Sequence, residues 1–166
     1  MLILAIDPGT FDSAYVLYDS ERKQILDKNK VPNHNMRRIL KGYNLKGSTW
    51  HADAVAIEMI ASYGMPVGKE VFETCVWIGR YFEIIEGRCP TDLVYRKDVK
   101  LHLCGSPKAN DGNIRQALID LFPPIGGGTV PQVGTKKDPG PLHGVSKDIW
   151  AALGVAVTYA ARREKS

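Results

Sequence analysis

The stretch that most constrains the fold is Leu2–Thr10, LILAIDPGT. Leu2, Ile3, Leu4, Ala5 and Ile6 form one apolar run, ended by Asp7 and the turn Pro8-Gly9-Thr10. A short apolar run without polar alternation, stopped by Pro-Gly, predicts a strand buried on both faces. A lone carboxylate at the end of such a strand costs several kcal/mol unless something pairs it. Asp7 is therefore either a buried turn or capping residue or a residue balanced by a partner such as a metal ion.

The pattern recurs twice. Ala54–Ile60 (AVAIEMI) is a second buried apolar run, and it holds a single acid, Glu58. The closing segment from Ser146 to Arg162 predicts a helix rich in apolar residues (Ile149, Trp150, Leu153, Val155, Val157), with Asp148 near its start. Between these landmarks, Ala14–Tyr18 and Gln24–Val31 read as strands and His34–Tyr43 as a basic helix, followed by a Lys46-Gly47-Ser48 loop. Ala61–Met65 is a Gly-containing loop with an aromatic tip. Pro66–Glu86 reads as a helix, Pro66 suiting its first turn. Val71, Cys75, Ile78, Phe82 and Ile85 make one apolar seam along it, with Trp77 off the seam. That seam faces either the sheet or a second subunit. Leu93–Tyr95 is a short strand, Arg96–Cys104 a short basic helix, and Asn110 or Asp111 caps a helix running to Phe122. Pro123–Gly140 holds five Gly and four Pro and reads as a long loop of the kind that is functional or mobile. The order βββ-α-β-α-β-α-α-α predicts an α/β fold, a mixed sheet covered by helices.

A chain of 166 residues has the length of one domain, so 1–166 is read as a single unit. At that size it buries about 70% of its unfolded surface and needs no staples. No apolar run approaches the roughly 20 residues of a membrane span, and the first strand is too short and lacks the basic flank of a signal peptide. Cys75, Cys89 and Cys104 are odd in number and form no CxxC pair, so neither a disulfide framework nor a zinc site is expected. Reduced thiols in the cytoplasm follow. The net charge of +4 is unevenly spread. Between Glu21 and Lys46 eight Lys/Arg stand against two acids, and between Arg96 and Arg115 five against two. Such local excess is either a solvated face or a footprint for phosphates.

Asp7, Glu58 and Asp148 are three acids placed where acids are expensive, and one shared site accounts for all of them. Carboxylates without His or Cys partners suit Mg²⁺, with Mn²⁺ as a substitute, rather than zinc. Two such ions about 4 Å apart serve in-line phosphoryl displacement. With basic patches to hold phosphates, the set describes a nuclease.

IDPGT after an apolar strand, the lone Glu of AVAIEMI, and SKDIWAALGVAVTY at the end together resemble the RuvC-type Holliday junction resolvases, phage-like branch, of the ribonuclease H-like fold. The resemblance spans nearly the whole chain, including RKDVKLHLCG and NDGNIRQALID. It implies a ribonuclease H-like mixed sheet with helices on both faces. It also implies a homodimer that cleaves four-way or branched DNA with Mg²⁺. Asp7, Glu58 and Asp148 match three of the family's four metal-binding acids. The fourth, an acid or His three residues before the helical Asp, is replaced here by Val145, leaving His143 or Asp138 as stand-ins. A basic residue that aids catalysis in the family matches Lys100. The second falls near Asp111, leaving Lys108 or Arg115 for it. Arg96 and Lys97 are placed as phosphate anchors. The loop after Glu58 enters the junction centre in the family, and Tyr63 and Met65 are its candidates here. The Pro66–Glu86 helix matches the family's dimer helix.

Three other readings stand beside this one. A sugar kinase or chaperone ATPase shares the Asp-x-Gly-Thr turn but needs two domains of this type. A ribonuclease H-like nuclease could act on another branched or hybrid substrate. A junction-binding protein with impaired catalysis is suggested by Val145.

Overall fold

The computed structural model describes residues 1–42 and 51–164. The expected end of the first helix at Tyr43 and the Lys46-Gly47-Ser48 loop lie outside them. The elements are β1 (Leu2–Asp7), β2 (Asp12–Asp19), β3 (Gln24–Pro32), α1 (Asn33–Gly42), β4 (Ala54–Met59), α2 (Lys69–Ile85), β5 (Thr91–Tyr95), α3 (Arg96–Cys104), α4 (Asp111–Leu121) and α5 (Asp148–Arg163). This is the element order expected from the sequence.

One mixed sheet runs in the order β3-β2-β1-β4-β5. β1 lies at its centre, antiparallel to β2 and parallel to β4. That central position is why its apolar run is continuous: side chains of both parities are buried. Ile3 and Ala5 join Ala14, Val16, Ala54, Ala56 and Val94 under α3, α4 and α5. Leu4 and Ile6 join Tyr15, Leu17, Val55 and Ile57 under α1 and α2. The α/β sheet is thus covered by helices on both faces.

The two helical layers differ. α5 buries residues all round, from Ile149 to Ala160, because α3 and α4 cover the side turned away from the sheet. α2 buries only Thr74, Ile78, Tyr81 and Ile85. The apolar seam therefore splits: Ile78 and Ile85 pack on the sheet, whereas Val71, Cys75 and Phe82 are only partly buried. On the outer side Phe72 and Val76 are 64% and 53% exposed. α2 begins at Lys69 rather than Pro66, because Gly68 is extended and forms its N-cap.

The Pro123–Gly140 segment is folded back on itself through antiparallel bridges between Ile125 and Val130 and between Gly134 and Pro139. A Cβ on Gly140 would lie 2.1 Å from the Pro131 carbonyl oxygen, so this crossing requires glycine. Cys75 and Cys104 are free thiols. No helix among the described residues is long and apolar enough to cross a membrane.

Candidate active site

Strand parity and register build the site. Asp7 shares the parity of Ile3 and Ala5, and Glu58 that of Ala54 and Ala56, so both carboxylates project toward the α5 face. The parallel register that pairs Ile6 with Ile57 brings Asp7 alongside Glu58 at the carboxyl ends of β1 and β4. Ligands of open α/β sheets gather outside this edge of the strands. Asp148 is the first residue of α5, where the helix N-terminus favours negative charge. All three acids line one cleft of about 270 Å³, together with Arg96, Asp111, Lys147 and Trp150.

Burial sets the electrostatics. Glu58 is only 8% exposed. Asp7 is pushed up to about 8, first by burial, then by the charge of Glu58 and the hydrogen bond it shares with that residue; Asp148 adds to this and Arg96 opposes it. Burial also raises Glu58, while Arg96 and the hydrogen bond from Asp7 pull it down. Burial thus favours a protonated form of the pair over two adjacent negative charges. Two carboxylates side by side in a desolvated cleft cannot both ionise without a positive partner.

Two basic side chains supply part of that partnership. Arg96, the first residue of α3, places Nη1 3.6 Å from Glu58 Oε1 and Nη2 2.5 Å from Asp111 Oδ1. Its Nη1 is buried and makes no hydrogen bond among the described residues. Lys30, from β3, donates to Asp148 Oδ2 at 2.5 Å. Among the described residues, no three His, Cys, Asp or Glu side chains converge as a ready-made metal cage. Asp148 points at Lys30 and Glu58 at Arg96. The residues nonetheless fit a hard divalent cation in donor type and location: oxygen-only donors, Glu58 buried and Asp7 partly buried, in a common cleft.

The other expected site residues fall around this cleft. Lys97 and Lys100 line an adjoining cavity of about 400 Å³ with Arg96, Tyr63 and Pro107. Lys97 Nζ lies 5.6 Å from the centre of the Tyr63 ring. Tyr63 and Met65 are both exposed, and Tyr63 has a left-handed backbone at φ 49°. Arg115 stacks on Trp150, a wall of the acidic cleft, at 5.3 Å. Lys108 lines a separate cavity between α3 and α4.

The structure gives the surroundings of Arg96, of Val145 and of the two stand-ins, His143 and Asp138. Arg96, expected as a phosphate anchor, is ion-paired with Glu58 and Asp111. Val145 is 6% exposed in the core under α5, so its position is a packing position and not a ligand position. Neither stand-in reaches the acids: His143 lines a cavity with Arg22, Lys23 and Lys28, and the exposed Asp138 closes a turn with Thr135. The acid that the cleft gains is Asp111.

Lys30, Asp111 and a network behind the Pro8-Gly9-Thr10 turn were not foreseen as part of the site. Asn33 Nδ2 donates to the carbonyls of Gly9 and Thr10 at 2.8 and 3.1 Å. Ser13 Oγ donates to Asn33 Oδ1 at 2.7 Å and meets the Tyr81 hydroxyl at 3.0 Å. These buried bonds fix the Pro8-Gly9-Thr10 turn, and with it the end of β1 that carries Asp7. A Cβ on Gly9 would lie 2.5 Å from the Asp12 carbonyl oxygen, so the turn also requires glycine. The only sequence signal for the network was Pro32-Asn33 at the start of a helix.

No protein-family model matches the sequence, and no curated protein matches it. Among solved structures, the chain is similar to RuvC of Thermus thermophilus, with a TM-score of 0.68 and 19% identity over 99% of this chain and 97% of that one. It is likewise similar to T. thermophilus RuvC in complex with a Holliday junction substrate, with a TM-score of 0.67 and 18% identity over 99% of this chain and 96% of that one. At these identities the likeness establishes the fold: a RuvC-like, ribonuclease H-like mixed α/β sheet.

Proposed function

We propose that this chain is a metal-dependent endonuclease that cuts four-way or branched DNA as a homodimer. The observation that carries the reading is that Asp7, Glu58 and Asp148, lone acids of three separate elements, line a single cleft. The fold adds support, since a RuvC structure similar to this chain is described as bound to a Holliday junction substrate.

In this reading Asp7, Glu58 and Asp148 hold Mg²⁺, and Mn²⁺ replaces it. The bound cation supplies Lewis acidity toward the scissile phosphate and lowers the pKa of a bound water. The rest is the work of the chain. Arg96 keeps Glu58 in place and offsets the negative charge of the cleft. Lys100 makes no ion pair among the described residues. It is free to meet a phosphate from the adjoining cavity and to stabilise charge that develops there. Lys97 and Arg115 add electrostatic affinity, and Lys108 extends the basic surface along α3 and α4. Tyr63 and Met65 present flat or flexible apolar surface to an unpaired base.

The dimer uses the outer side of α2. Phe72 and Val76 are large, exposed and one helical turn apart. A two-fold pair buries both copies of this patch and presents two clefts to two symmetric strands.

The deciding experiment is cleavage of junction, linear duplex and RNA–DNA hybrid substrates with and without Mg²⁺. The proposal expects metal-dependent paired cuts in the junction and little cutting of duplex. Tight junction binding with no cutting in Mg²⁺ or Mn²⁺ would favour the binding-only reading.

A further inference from the structure

The sheet places a lysine in the same cross-strand row as two of the acids. The register pairs Asp7 with Ala14, and Ala14 with Lys30. Glu58 continues the row on the other side, paired with Val94. Directly paired residues project to the same face of a sheet. The small side chain of Ala14 therefore leaves Lys30 an open path over the sheet toward α5, and its Nζ ends 2.5 Å from Asp148 Oδ2. The pair is half exposed, with Lys30 at 39% and Asp148 at 48%. The two residues stand 118 positions apart in the chain.

We infer that Lys30 is a built-in counter-ion for the third carboxylate of the site, which holds Asp148 while no divalent cation is bound and competes with that cation for it. The inference rests on the proposed metal-binding role of the cleft. Lys30 is a positioning residue here: it acts through Asp148 and sets how readily the cleft fills. Asp148 is the carboxylate that a metal must recruit from outside the Asp7–Glu58 pair, and Lys30 holds it as Arg96 holds Glu58. Glu58 is buried and paired with Arg96, and Asp7 is hydrogen-bonded to Glu58, whereas Asp148 sits half exposed at the cleft's rim, where Lys30 holds it. An ion pair this exposed is weak, so the competition is modest and the lysine yields to a divalent ion.

The test is titration of the protein with Mn²⁺ at fixed ionic strength, reading free Mn²⁺ by its paramagnetic resonance signal. Lys30→Met should bind Mn²⁺ about fivefold more tightly than the wild type, which converts to about 1 kcal/mol. Lys30→Arg, which keeps the charge and the reach, should stay within about twofold of the wild type. Lys28→Met is the control for the general field. Lys28 projects from the same face of β3 but lies against Gly144 rather than Asp148, so its loss should leave affinity within about twofold. Unchanged affinity in Lys30→Met, or equal tightening in Lys28→Met, overturns the inference and leaves the metal site intact. Asp7→Asn separates the two levels. If wild type and Lys30→Met bind Mn²⁺ no better than Asp7→Asn, the metal-binding reading fails, and the counter-ion role with it.

Discussion

The two faces of the sheet are built from different side chains, and the difference locates the chemistry. Under α5 the sheet presents Ala5, Ala14, Ala54 and Ala56 beside Ile3, Val16, Tyr18 and Val94; under α1 and α2 it presents Leu4, Ile6, Tyr15, Leu17, Val55 and Ile57, with no alanine among them. Small residues let a helix approach closely, and α5 buries Ala152, Ala156 and Ala160 along one stripe, while its Gly154 lies against Val99, Leu103 and Ile114 of α3 and α4. Its first residue, Asp148, is thereby brought to the strand ends that carry Asp7 and Glu58. The large-residue face instead seats α2 on one side only, leaving Phe72 and Val76 outward. One face carries the cleft lined by Asp7, Glu58 and Asp148, and the other leaves Phe72 and Val76 of α2 exposed. The Asn33–Ser13–Tyr81 network ties the second layer to the turn beside Asp7.

Mutations can break this division of labour. The largest effect is expected on the alanine-lined face. Asp7→Asn or Glu58→Gln should lower the single-turnover cleavage rate by about 10³-fold or more, with junction affinity retained, because phosphate contacts supply the affinity. Rates measured with enzyme in excess, beside gel-shift affinities, check this; near-normal cutting by either variant removes the shared site.

Lys100→Ala comes next. It should lose about 10²-fold in saturated single-turnover rate, the scale of one preorganised donor, with little change in binding. If the variant cuts at the wild-type rate once saturated, Lys100 belongs to the binding surface with Lys97.

On the opposite face, Phe72→Glu should weaken self-association by about 2 kcal/mol or more, as for a central aromatic anchor, and leave the fold unchanged. Sedimentation at micromolar concentration together with circular dichroism reads both. A variant that remains dimeric moves the interface elsewhere.

The smallest effect, per unit of pH, concerns stability. Asp7 is raised from 3.8 to about 8 in the folded chain without metal. The folded state therefore holds a proton that the unfolded state has lost between these values. The contribution of Asp7 is fully present below about pH 4 and is lost as pH rises through about 8, with a slope of at most about 1.4 kcal/mol per pH unit for one proton. Chemical denaturation in a chelator across this range should show the fall, and Asp7→Asn should flatten it. A flat wild-type profile would mean that the pair is not desolvated in solution.

How much of this was legible depends on how local each signal is. The element order could be read from apolar runs and Pro-Gly punctuation, and only ends moved, as where Gly68 capped α2 behind Pro66. Asp7, Glu58 and Asp148 could be read as candidates because each is a lone acid in an apolar segment, and burying such a carboxylate is costly wherever the segment lands. Arg96 could be read as basic but not as occupied, since its partners Glu58 and Asp111 come from β4 and α4.

By itself, then, the sequence determined a buried central strand, the alternation of strands and helices, and three acids that need partners. These follow from transfer free energies and backbone preferences acting over a few residues. Only the tertiary structure decided which partners they have. The row that joins Lys30, Ala14, Asp7 and Glu58 exists through strand register, which a shift of one residue would turn to the other face. Val145 became core and Asp111 joined the cleft because α5 packs against the alanines of the sheet while α4 begins beside Arg96. Spacing along the chain carries no information about such meetings, because they are fixed by how whole layers pack.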